Sequence, residues 1–170
     1  MTGTFFYFAF GSNLLKERLL INNKTAVFKT VAKLENYHLK FAYKTSTWHG
    51  HAATIAESKD DVVWGVVYEM NTSNIDSLDK QEGVDKNIYR PIKVTVKSMN
   101  DVLYDCRTYQ LLKRDFGEPS PQYKDIIVRG ALASGIPNDY IKFLKSIPDN
   151  GNKNKVPIYD KILSLLEDSK

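Results

Sequence analysis

An α+β fold is what the sequence predicts, and three observations carry it. Residues 37–44 and 92–97 alternate apolar and polar side chains as half-buried strands do, and residues 62–70 form a nearly continuous β-branched and aromatic run. The helical patterns, each with its own start and stop signals, lie mostly in the last third. Strands and hairpins outnumber strand–helix alternations, which disfavours a doubly wound parallel sheet.

The 170 residues fit one domain spanning 1–170, a size at which roughly 70% of the unfolded chain's surface is buried. Cys106 is the only cysteine, so no internal disulfide forms and a reducing compartment suits the chain. No apolar run reaches the length of a membrane span. The run at residues 5–10 is too short for a signal-peptide core and lacks a basic leader. A cytoplasmic protein without membrane attachment is expected. The net charge of +4 is modest and its lysines are scattered, which argues against nucleic acid as a partner.

Taken in order, the chain opens on an aromatic strand that stops at Gly11-Ser12-Asn13. Gly11 lets another molecule approach the backbone, and Ser12 and Asn13 are both capable caps for the helix that follows. A helix start with unpaired N–H groups suits a carboxylate, or an oxyanion forming during acyl chemistry. Leu14, Leu15, Arg18, Leu19 and Ile21 make the apolar face of that helix. Residues 27–34 and 37–43 read as a hairpin turning at Glu35-Asn36, and 52–56 as a short strand after a loop holding Trp48-His49-Gly50-His51. Two histidines without further ligands make a poor zinc site. Asp60-Asp61 is a turn signal before the central strand 62–70. Ser73 and Asp76 approximate a capping box for a helix that stops at Gly83.

Residues 92–97 and 102–112 form a hairpin around a turn at 98–101, with Cys106 a buried structural thiol. Ser120 caps a helix with Pro121 in its first turn and Gly135 as its stop, and two further amphipathic helices complete the chain.

Phe8-Ala9-Phe10-Gly11-Ser12-Asn13-Leu14 resembles the signature loop of the γ-glutamylcyclotransferases, which usually carries tyrosine where Phe10 stands. Thr47-Trp48-His49-Gly50, Val63-Trp64-Gly65-Val66-Val67, Ser77-Leu78-Asp79-Lys80-Gln81-Glu82-Gly83-Val84 and Ser120-Pro121-Gln122-Tyr123-Lys124 follow in that family's order. The resemblance implies a small mixed β-barrel with helices around it, a homodimer, and a small γ-glutamyl substrate. It also implies a reaction without metal or organic cofactor, in which a γ-glutamyl amino acid closes to 5-oxoproline as part of glutathione-related metabolism.

On the same grounds Glu82 aligns with the catalytic glutamate as general base and acid. Glu57 and Glu69 are the competing carboxylates. A carboxylate near the negative end of a helix and inside a pocket has its pKa raised, which makes it a better base for an ammonium group. Tyr7, Phe8, Ala9, Phe10, Gly11 and Ser12 are the expected substrate-binding residues of the loop, joined by Tyr123, whose hydroxyl suits a carboxylate. Tyr89 is placed to line the same pocket. The alternatives are a non-catalytic γ-glutamyl or anion-binding module of the same fold, and a phosphate-binding domain. The latter lacks the glycine run and lysine of a P-loop.

Overall fold

Five strands close into a barrel in the computed structural model, which describes residues 3–168. The strands are β1 (Thr4–Ala9), β2 (Val27–Thr45), β3 (Gly50–Asn71), β4 (Tyr89–Ser98) and β5 (Leu103–Leu111), in the order β1-β3-β2-β4-β5. Four contacts around the barrel are antiparallel, and β1 closes it on β5 in parallel, Tyr7 opposite Arg107. The helices are α1 (Lys16–Leu20), α2 (Ile75–Gln81), α3 (Pro121–Ser134), α4 (Asn138–Ser146) and α5 (Pro157–Asp168). Among the described residues, no helix is long and apolar enough to cross a membrane.

The predicted hairpin of residues 27–34 and 37–43 is instead one bent strand, and the predicted turn at Asp60-Asp61 lies inside β3. Asn36 and Asp60 adopt left-handed backbone (φ 66° and 68°), and the β2–β3 register shifts between Glu35 and Tyr37. The turn chemistry makes a β-bulge: Asn36 Oδ1 accepts the Asp60 amide at 3.1 Å, so the two chains bend together without reversing.

The run 62–70, predicted to be central, is so over residues 66–69, which pair with β1 on one side and β2 on the other, with Val66 and Val67 fully buried. Gly65 leaves no room for a side chain beside β1, since a Cβ there would stand 2.2 Å from the Ala9 carbonyl oxygen. The 92–97 and 102–112 hairpin forms as β4 and β5, with Cys106 buried and its thiol pushed up to about 12 by burial.

On α3 the expected punctuation is complete: Ser120 Oγ accepts the Tyr123 amide at 3.1 Å, Pro121 opens the helix and Gly135 ends it at φ 83°. Elsewhere the predicted caps do not form. Neither Ser12 nor Asn13 caps α1, and no side-chain cap opens α2; the Asn13 side chain is instead bonded to Tyr7 and Gln81.

Candidate active site

β1 ends at Ala9 and delivers residues 10–15 across one end of the barrel. Ser12–Leu14 forms a single 3-10 turn, which leaves the Ser12 and Asn13 amides without partners inside it. Two elements, β3 and α3, pin the turn. The Tyr68 hydroxyl donates to the carbonyls of Asn13 (2.9 Å) and Leu14 (3.2 Å), and Ser134 Oγ donates to Leu14 (3.2 Å). Gly130 of α3 lies so close that a Cβ there would meet the Leu15 nitrogen at 2.5 Å.

Glu82 follows the last turn of α2, its amide bonded to the Leu78 carbonyl, and Gly83 then turns the chain at φ 69°. Two clamps fix this short helix. Asp79 takes Arg107 Nη2 with both oxygens at 2.8 Å and also accepts from the Tyr109 hydroxyl, tying α2 to β5. Gln81 Nε2 donates to Asn13 Oδ1 at 3.2 Å, and Asn13 Nδ2 donates to the Tyr7 hydroxyl at 2.9 Å. Asn23 Nδ2 donates to Gln81 Oε1 at 2.9 Å and Ser77 Oγ donates to Asn23 Oδ1 at 2.8 Å. The signature loop and the glutamate's helix are therefore one hydrogen-bonded unit.

Between them lies a cavity of about 40 Å³ walled by Tyr7, Phe10, Gly11, Ser12, Glu82 and Tyr123, among others. A second cavity of about 240 Å³ shares Ser12, Glu82, Tyr89 and Tyr123 with the first and adds Arg18 and Trp48. Glu82 thus stands on a wall common to both. Burial pushes its carboxyl up to about 7; the Arg18 charge opposes this and Asp79 adds to it.

The phenols of Tyr7, Tyr89 and Tyr123 are also raised, by burial first, and so remain hydrogen-bond donors. Tyr123 accepts the Ala53 amide at 3.0 Å, which leaves its own proton free, whereas Tyr89 donates to the Ala53 carbonyl at 2.8 Å. The Tyr123 ring is fixed against Trp48, with centroids 4.9 Å apart. A Cβ on Gly11 would press on this wall, 3.3 Å from the Tyr123 hydroxyl and 3.2 Å from the Ala53 Cβ.

The expected residues divide. Tyr7, Phe10, Gly11, Ser12, Glu82 and Tyr123 converge on the cavity, but Phe8 and Ala9 do not wall it: they are fully buried in the barrel core. Glu57 and Glu69 wall neither cavity, and Glu69 lies on β3 beside Lys29 at 3.6 Å. His51 packs under Gly117 and faces Asp115 at 3.6 Å, while His49 takes a left-handed turn at φ 55°. Among the described residues no group of three or more His, Cys, Asp and Glu side chains is placed to hold a metal. Sequence reasoning missed Asn13, Asp79 and Gln81 as the frame of the site, and Arg18 as a wall of it. For Arg18 a signal existed: a cation on the apolar face of its helix.

A barrel whose end joins a buried, raised carboxyl to unpaired main-chain and phenol donors holds the groups that acyl transfer by proton transfer and oxyanion stabilisation requires. Residues 62–144 match the AIG2-like family model. The chain is 51% identical over 157 residues to the γ-glutamylcyclotransferase of Bos taurus, covering 90% of this chain and 84% of the relative. It is 46% identical over the same shares to that of Homo sapiens. A solved structure of a γ-glutamyl cyclotransferase superimposes with a TM-score of 0.91 at 43% identity, covering 95% of this chain and 99% of the other. The chain belongs to the γ-glutamylcyclotransferase family and is an enzyme of that kind.

Proposed function

We propose that the enzyme converts a γ-glutamyl amino acid to 5-oxoproline and a free amino acid, with Glu82 as general base and then general acid. The observation that carries this reading is the Glu82 carboxyl, held near neutrality on the wall shared by the two cavities. Ionised Glu82 takes a proton from the substrate's α-ammonium. The freed amine attacks the γ-carbonyl carbon of the same residue, closing a five-membered ring and placing negative charge on the carbonyl oxygen. Main-chain N–H groups of the Gly11-Ser12 turn and the Tyr123 hydroxyl receive that charge. Protonated Glu82 then gives its proton to the amide nitrogen and the C–N bond breaks; the second proton still carried by the ring nitrogen passes by way of Glu82 to the departing amine, so 5-oxoproline keeps a neutral lactam N–H and the amino acid leaves as its ammonium form.

No protein nucleophile and no water enter the balance. The loop's task is to hold the glutamyl half folded back on itself, since most of the barrier to such a cyclisation lies in reaching that pose. On family grounds we also place the reaction in glutathione-related metabolism of the cytoplasm, and the enzyme as a homodimer. Incubating purified protein with a panel of γ-glutamyl amino acids and measuring 5-oxoproline is the test. Release is expected from the parent, and Glu82→Gln should lower kcat by about 10²- to 10⁴-fold, the usual contribution of a general base. Full turnover by Glu82→Gln would remove Glu82 from the mechanism.

A further inference from the structure

The ring closure described above makes no use of Arg18, yet Arg18 is kept under demanding conditions. The residue is only 8% exposed, and its Nε is buried without a partner. Among the described residues its guanidinium meets no hydrogen-bond acceptor, and no carboxylate lies within 4 Å of it. The Trp48 ring lies beside it, with the guanidinium carbon 5.9 Å from the ring centroid, and the Glu82 carboxyl across the same cavity feels its charge without forming a salt bridge. Burying a cation without an anion hydrogen-bonded to it is costly. Stacking on an indole occupies one face and leaves the edge, with its planar fork of donors, open to a ligand.

The place of Arg18 says which ligand. It walls the larger cavity and not the smaller, and Lys80 and Lys86 line the same larger space, neither with a carboxylate within 4 Å. Glu82 lies between the two spaces. With the glutamyl half against the signature loop in the smaller cavity, the group expelled from the γ-carbonyl extends into the larger one, toward the cations.

Resting on the reaction proposed above, we infer that Arg18 binds the carboxylate of the departing amino acid and so selects γ-glutamyl amino acids over γ-glutamyl amines. A guanidinium fork pairs with a carboxylate through two parallel charge-assisted hydrogen bonds, and an amine leaving group offers nothing in return.

γ-Glutamyl-alanine and γ-glutamyl-ethylamine differ only in that carboxylate, and 5-oxoproline release reads both. The parent should favour the alanine compound in kcat/KM by about 10- to 100-fold, the range for a hydrogen-bonded charged group. Arg18→Met, which fills the space without the charge, should collapse that preference toward unity through its loss on the alanine compound. Arg18→Lys, keeping charge but not the fork, should retain part of it. Equal losses on both substrates, or an unchanged ratio, would overturn the assignment. So would a parent without preference, whatever the folding of the variants. A parent that releases 5-oxoproline from neither compound defeats the cyclisation itself, an outcome distinct from failure of Arg18 alone.

Discussion

At Glu82 the desolvation that suits the carboxylate to proton transfer also opposes folding. Its carboxyl titrates at about 7 in the folded chain against an ordinary 4.5. Below 4.5 both states hold the proton and no difference arises. As pH rises from there to 7 the unfolded chain releases it first, so stability falls, and above 7 the penalty is complete at up to about 3 kcal/mol. Glu82→Gln should therefore be no more stable than the parent near pH 4.5 and increasingly more stable toward pH 8, read by thermal melts across that range. Turnover runs the other way. The base must be ionised, so kcat of the parent should rise with pH through about 7, and the variant should lack that limb.

Phe10 is a second residue with a measurable consequence. It is 7% exposed and walls the smaller cavity. Phe10→Tyr adds a hydroxyl there, and a new bond to substrate would be worth about 0.5–1.5 kcal/mol, lowering KM by roughly two- to tenfold. An unchanged KM would mean that the ring only packs.

Among the elements, α2 matters most and is the least able to stand alone. Seven residues are too few for a stable helix in water, so its direction, and with it the aim of Glu82, is set by the bonds of Asp79 and Gln81. Gln81→Met leaves Asn13 Oδ1 without its partner and takes from Asn23 Nδ2 one of two acceptors, the Leu19 carbonyl remaining. The expected cost is about 1–3 kcal/mol in stability and a lower kcat/KM. The pH limb near 7 should persist, because the base itself is untouched, and that persistence separates a positioning role from proton transfer.

These clamps show why part of the site was not legible in the chain. The glutamate motif and the Gly11 turn are local, and both were found. The Tyr7–Asn13–Gln81–Asn23–Ser77 chain joins residues up to 68 positions apart, as in the Gln81–Asn13 bond. Ser12, Asn13, Ser73 and Asp76 carry good capping chemistry, and only tertiary partners decide that Asn13 is drawn away from it. At Asn36 and Asp60 the turn signals were real but made a bulge, since reversal or continuation depends on the facing strand.

For the whole molecule the least local feature is barrel closure, made where β1 meets β5 at a single parallel register pair, Tyr7 and Arg107, reinforced by Thr108 Oγ1 donating to the Phe8 carbonyl at 2.7 Å. Alternating hydrophobicity identifies strands and their buried faces but carries no information about a contact 100 residues away, so closure was expected only through family resemblance. Closure also sets the site, because the strand that seals the barrel runs directly into the signature loop. Gly65 is the place to test that coupling. A Cβ there would stand 2.2 Å from the Ala9 carbonyl oxygen and 2.7 Å from the Phe8 ring, so in Gly65→Ala the end of β1 must move off β3. Overpacking of this kind costs about 1–3 kcal/mol. The displaced end carries Phe10, Gly11 and Ser12 with it, away from Glu82. Gly65→Ala should thus lower the melting temperature and, assayed well below that temperature where the variant is fully folded, also lower kcat/KM. A lower melting temperature with unchanged kcat/KM would mean that the loop is held by Tyr68, Ser134 and α3 independently of the strand that leads into it.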